Sequence, residues 1–123
     1  MSLWSVKKVL IIEDEPRLRR SVCKGLREEG LYAIEAEDGI SALEMLRNDS
    51  GIDLVVLDVL LPEKSSLDIY DQIRREFPGV NILISSNYSV DEQKFLFRDA
   101  DGFYNKADSI TVLIDEATRL LIV

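Results

Sequence analysis

The 123-residue chain has no histidine and a single cysteine, Cys23. Without an imidazole it can build neither a histidine-ligated metal centre nor a serine–histidine nucleophile pair, and one thiol cannot close an internal disulfide. No apolar run approaches the length that spans a bilayer. The opening MSLWSVKK passes from a short tail straight into a strand-like run, without the pattern of a signal peptide. These absences lead to the expectation of a cytoplasmic protein. Basic residues are also in the minority. The 15 Lys and Arg face 23 Asp and Glu, and the net charge of −8 argues against contact with nucleic acid or with an anionic membrane. The acids recur in short groups (EDE at 13–15, EE at 28–29, ED at 37–38), as on solvated helix faces and caps.

What is present is a core. Hydrophobic residues make up 46% and charged residues 31% of the chain, a balance and length that suit one globular domain, here residues 6–121 behind a tail of residues 1–5. Short β-branched runs alternate with stretches of helical period. Val9–Ile12 reads as a strand buried on both faces, and Pro16 suits the first turn of a helix over about 17–29 that places Leu18, Val22 and Leu26 on one side and stops at Gly30. Tyr32–Ala36 is a second strand, followed by a helix over 40–48 presenting Ile40, Leu43 and Leu46. Leu54–Asp58 is the third strand. Leu67, Tyr70, Ile73 and Phe77 mark a helix that stops before Pro78 and Gly79, and Asn81–Ser85 is the fourth strand. A short fourth helix over 90–98 carries Phe95, Leu96 and Phe97 in succession, too many bulky residues for one buried stripe. Gly102–Asn105 is the fifth strand, and Ile110, Leu113, Ile114, Ala117 and Leu120 define the last helix. The apolar LLIV that closes the sequence leads to the expectation of a longer chain, or of a helix end packed on something.

Five strands alternating with five helices imply an α/β fold with a parallel sheet. For the strand order 2-1-3-4-5, ligands bind beyond the carboxyl ends of strands one and three. Glu13 and Asp14 follow the first strand, and Asp58 ends the third inside the apolar run LVVLDVLLP, so three carboxylates converge there. Such like charges are tolerated when a hard cation holds them, and carboxylates with water and a backbone carbonyl are ordinary ligands of Mg²⁺. Across the crevice the fourth strand ends in Ser85, Ser86 and Asn87 and the fifth in Lys106, groups suited to a phosphoryl oxygen. Taken singly, Asp14 could cap a helix, Ser86 could begin one, and Lys106 could be a surface lysine.

With these residues in place, the chain closely resembles the receiver (phosphoacceptor) domain of bacterial two-component response regulators over nearly its whole length. The resemblance lies in VLIIEDEP, LVVLDVLLP, ILISSN and ADGFYNK. It implies a flavodoxin-like doubly wound (βα)5 three-layer sandwich and Asp58 as phosphoacceptor. Mg²⁺ (or Mn²⁺) would be held by Glu13, Asp14, Asp58 and the Leu60 backbone carbonyl. Ser86 would be the switch hydroxyl, with Asn87 beside it, Phe103 the switch aromatic and Lys106 the phosphate-binding lysine. Leu60 and Tyr88 fall at positions flanking the approaching water, where their bulk would slow hydrolysis. The implied partner is a sensor histidine kinase or phosphotransfer protein, since a chain without histidine cannot be its own phosphohistidine donor. The fourth helix, fifth strand and fifth helix would form the surface that changes, for a homodimer or an output domain.

The sequence departs from the family pattern at three places: Ala107 stands where proline follows the lysine, Asn87 where a small residue follows the hydroxyl, and Ser66 where a turn glycine is common. A trans bond is expected before Ala107, because a cis bond to a non-proline residue costs about 2.5 to 4 kcal/mol. These departures keep a second reading open, a degenerate receiver that binds a partner without being phosphorylated. A haloacid-type phosphatase would need a second Asp where Leu60 stands, and a flavodoxin-like cofactor carrier would need a glycine-rich phosphate loop where EDEPR stands.

Overall fold

The computed structural model describes residues 6–59 and 65–122. Strands β1 (Lys8–Ile12), β2 (Tyr32–Ala36), β3 (Leu54–Asp58), β4 (Asn81–Ser86) and β5 (Gly102–Asn105) form one parallel sheet of order β2-β1-β3-β4-β5. The helices between and after them are α1 (Pro16–Glu28), α2 (Gly39–Asn48), α3 (Ser66–Glu76), α4 (Val90–Leu96) and α5 (Ile110–Leu121). This is the parallel α/β sheet expected from the alternating pattern, in the doubly wound form that the resemblance implies. Residues 1–5, expected as a tail, and Leu60 lie outside the described residues.

Side chains alternate across a strand, so the continuously apolar central strands feed two cores at once. Val9, Ile11, Leu54, Val56 and Leu83 pack with Val22, Cys23 and Leu26 of α1 and Leu113, Ile114 and Ala117 of α5. Leu10, Ile12, Val55, Leu57, Ile82 and Ile84 pack on the other face with α2 and α3. Burial pushes the Cys23 thiol up to about 11, so it serves as a small apolar core residue.

The ends of α1 show why it starts and stops where it does. Pro16 opens the helix, and the Glu15 carboxylate accepts hydrogen bonds from the Arg17 and Leu18 amides at 3.1 and 2.6 Å, which hold its pKa below the usual range. At the other end the Gly30 amide donates to the Arg27 carbonyl and the Leu31 amide to that of Leu26, with Gly30 at a φ of 84°. An added Cβ there would meet nothing within 4 Å, so the penalty for a side chain is purely conformational. Gly30→Ala is expected to cost about 1 kcal/mol, visible as a lower urea midpoint with an unchanged slope.

Three expectations need correction. Ile40 and Leu67, taken as inward positions, are 50% and 43% exposed. Each helix is rotated so that its small first-turn residue faces inward instead: α2 buries Gly39, Ala42, Leu43 and Leu46, and α3 buries Ser66, Ile69, Tyr70 and Ile73. The fourth helix ends at Leu96, two residues earlier than expected. Phe97 leaves it to bury its ring edge-on against Tyr70 at 5.3 Å, while Phe95 is 81% exposed and Leu96 half-exposed. Successive helical residues point about 100° apart, so the three could not all face one core. Among the described residues no helix is long and apolar enough to cross a membrane.

Candidate acidic and phosphoryl-binding site

The parallel register sets the ends of β1, β3, β4 and β5 at one rim: Ile12 lies opposite Leu57, Asp58 opposite Ser85, and Ser86 opposite Asn105. The residue after β1 is Glu13, whose amide donates to the Ala36 carbonyl and whose own carbonyl accepts from Arg19 Nη1 at 2.8 Å. Glu13 and Asp58 are buried and Asp14 is exposed, yet each offers a carboxylate oxygen within 4.8 Å of the others'. Asp14 does not cap α1, because Glu15 does.

Lys106 reaches into this cluster from the end of β5. Its Nζ lies 2.9 Å from Glu13 Oε1 and 2.9 Å from Asp58 Oδ1. Burial pushes the Glu13 carboxyl up to about 7, the Lys106 hydrogen bond opposes that rise, and the nearby Asp58 charge adds to it. Lys106 is raised: burial alone would lower it, but its hydrogen bonds to Glu13 and Asp58 outweigh that effect. One ammonium therefore balances two buried carboxylates, with the exposed Asp14 alongside. All three acids are hard oxygen donors facing one point, a donor set that fits Mg²⁺ better than a soft metal.

The same rim carries the polar residues at the end of β4. Ser86 is buried at the end of the strand, and its Oγ accepts from the Tyr88 amide at 3.0 Å. It does not begin a helix: Ser89 caps α4 through a reciprocal bond pattern with Glu92. Asn87 is exposed and Tyr88 is 41% exposed. Phe103 is half-buried against the core shared with α2 and α3. The Leu60 carbonyl and side chain, named above for metal binding and gating, lie outside the described residues.

The turn after Lys106 is trans, since no cis peptide occurs among the described residues. In place of a proline, Asn105 Oδ1 accepts from the Ala107 amide at 2.9 Å, and the Lys106 amide donates to the Ser86 carbonyl at 2.7 Å. Two supporting residues had little signal in the sequence. Ser66 is buried, and its hydroxyl donates to the Asp58 carbonyl at 2.9 Å and also meets the Val59 carbonyl. A serine at the start of a helix reads as a cap, but here it braces the strand end that carries Asp58. The other is Gln93, buried within α4.

With this geometry described, comparison with known proteins gives a consistent result. The response regulator receiver domain family matches residues 9–118. The probable transcriptional regulatory protein TcrX of Mycobacterium tuberculosis is 36% identical over 115 residues, covering 92% of this chain and 49% of that protein. The chemotaxis protein CheY of Halobacterium salinarum is 29% identical, covering 94% of this chain and 97% of that protein. Among solved structures, the response regulator TrrA of Thermotoga maritima in complex with Mg²⁺-BeF superposes with a TM-score of 0.84 at 29% identity, covering 94% of this chain and 100% of that one. The chain spans about half the length of the first curated relatives it matches.

Proposed function

As the chain belongs to the response regulator receiver domain family of two-component signalling, we propose that residues 6–121 accept a phosphoryl group on Asp58 from a histidine kinase or phosphotransfer protein. The observation that carries this reading is the junction of Glu13, Asp14 and Asp58 with Lys106 Nζ 2.9 Å from the Asp58 carboxylate. Nothing in that junction needs a stand-alone catalyst. An Asp58 oxygen attacks the phosphorus, the new O–P bond replaces the donor's N–P bond, and the domain contributes mainly position and charge.

Glu13, Asp14 and Asp58 would hold Mg²⁺ (or Mn²⁺), which when bound supplies charge neutralisation on the transferring group. The Lys106 ammonium, already at the nucleophile, would pair with a phosphoryl oxygen as Asp58 gives up one of its contacts. Ser86 uses only its lone pairs toward Tyr88, so its proton is available to the phosphoryl group. Movement of that hydroxyl would open space for Phe103 to turn inward, shifting the population of the α4-β5-α5 face, where Phe95, Leu96 and Val112 are exposed. That face would meet an output domain or a second copy. A net charge of −8 agrees with a setting away from nucleic acid and anionic membrane.

The test is intact mass after incubation with acetyl phosphate. A gain of one phosphoryl mass that requires Mg²⁺ and disappears in Asp58→Ala is expected. No gain, with another receiver reacting in the same buffer, would instead support a binding module that works unphosphorylated and would direct attention to Asn87 and Ala107.

A further inference from the structure

Gln93 is the one buried residue of α4, with no exposed surface, in a seven-residue helix whose other side chains are exposed or half-buried. Its amide points into the domain, and Nε2 donates to two carbonyl oxygens, those of Tyr88 and Tyr104, each at 2.9 Å. Both partners can only accept, so chemistry fixes the orientation of the amide. The two carbonyls belong to separate segments. Tyr88 lies two residues beyond Ser86 and is bonded to its hydroxyl through the backbone amide. Tyr104 lies on β5 beside Phe103 and two residues before Lys106.

A residue needed only for packing at this point would be apolar, because burying an amide is unfavourable unless its groups are matched. Here the match is partial: Gln93 Oε1 is buried and has no hydrogen-bond partner among the described residues. The seating of α4 is thus a balance between two donated bonds and one unmatched oxygen, and losing either carbonyl tips it.

We propose that Gln93 is a positioning residue that pins α4 to the loop after Ser86 and to β5, so that displacement of either segment at the site releases the helix. What displaces those segments rests on the phosphoryl reading above, but the pin itself does not. The experiment is hydrogen exchange by mass spectrometry on the full chain, with Gln93→Leu and Gln93→Glu as variants. The first removes both donors at similar volume, and the second keeps the shape but donates to neither carbonyl when ionised.

Without any phosphodonor, exchange over residues 90–97 is expected to accelerate by about tenfold or more in both variants, while peptides from β1 and β3 stay within about twofold of wild type. With acetyl phosphate and Mg²⁺, both variants are expected to take up phosphoryl at the wild-type rate. The wild-type change in α4 exchange on phosphorylation should then shrink or vanish. Unchanged α4 exchange in either folded variant, or acceleration spread evenly into the core strands, would overturn the pin. Should wild type take up no phosphoryl at all, the functional reading fails while the first comparison still decides the role of Gln93.

Discussion

Replacing Lys106 by methionine is expected to slow Mg²⁺-dependent phosphoryl uptake by roughly 10²- to 10³-fold, the usual loss when one preorganised charge at a reacting centre is removed. Methionine keeps the length and apolar stem but leaves Glu13 and Asp58 facing each other without the cation that lies 2.9 Å from each. In the metal-free protein this substitution is also expected to cost about 3 kcal/mol at pH 8, as when one partner of a buried ion pair is deleted. The sign of its pH dependence follows from Glu13. Its carboxyl already titrates near 7 in the folded chain, above its ordinary 4.5, and Lys106 is what holds it from rising further. An acid with a raised folded pKa binds more protons in the native state. Wild type and variant therefore both lose stability as pH rises from about 4.5, but the variant goes on losing it above about 7, where the wild-type Glu13 is already ionised, so its deficit grows from there toward pH 8. Urea melts in chelator at pH 5 and pH 8 measure it. A deficit that shrinks toward pH 8 would show that Lys106 is not the group balancing these carboxylates.

The second large effect lies in the packing of α2 on α3. Ile69 is completely buried, and a Cβ built on Gly39 would fall 2.4 Å from its Cδ1 and 2.6 Å from its Cγ1. Ile69→Ala is expected to cost about 3 to 4 kcal/mol through lost burial and the cavity left behind, and Gly39→Ala about 1 to 3 kcal/mol through overpacking. The two should not add. In the double variant the new methyl would face a residue whose Cβ lies 3.7 Å away, an ordinary contact, and would occupy part of the vacated space. The double variant is therefore expected to be more stable than Ile69→Ala alone. A thermal melt series settles this, because strict additivity would mean the two residues do not share that space.

This contact also shows where sequence reading loses force. A glycine at the start of a helix looks like a cap or turn residue, and its period gives no hint that the Ile69 side chain fills the space where its Cβ would be. The same limit applies at Ile40 and Leu67, which are exposed despite their helical spacing. Helical spacing identifies a stripe, but which of two adjacent stripes faces inward depends on the helix's rotation against the sheet. In α4 the three consecutive bulky residues announced that some would be exposed. Only the chain's exit at Phe97 and the position of Tyr70 decided that Phe97 goes inside while Phe95 stays in water.

The sequence by itself determined the strands, the burial of the first on both faces and the helices between them, because side-chain period and β-branched runs are local properties of the chain. It also determined that the acids after Ile12 and at Asp58 end their strands, so any parallel sheet with that strand order had to bring them to one rim. Tertiary structure alone decided how the resulting charge is borne. That Lys106 bridges Glu13 and Asp58, that Ser66 braces the Asp58 carbonyl, and that Gln93 joins the Tyr88 and Tyr104 carbonyls are facts of distance between residues 5 to 93 positions apart. Hydrogen bonds and ion pairs depend on separations of a few tenths of an ångström, and the periodicities that fix secondary structure carry no information at that scale.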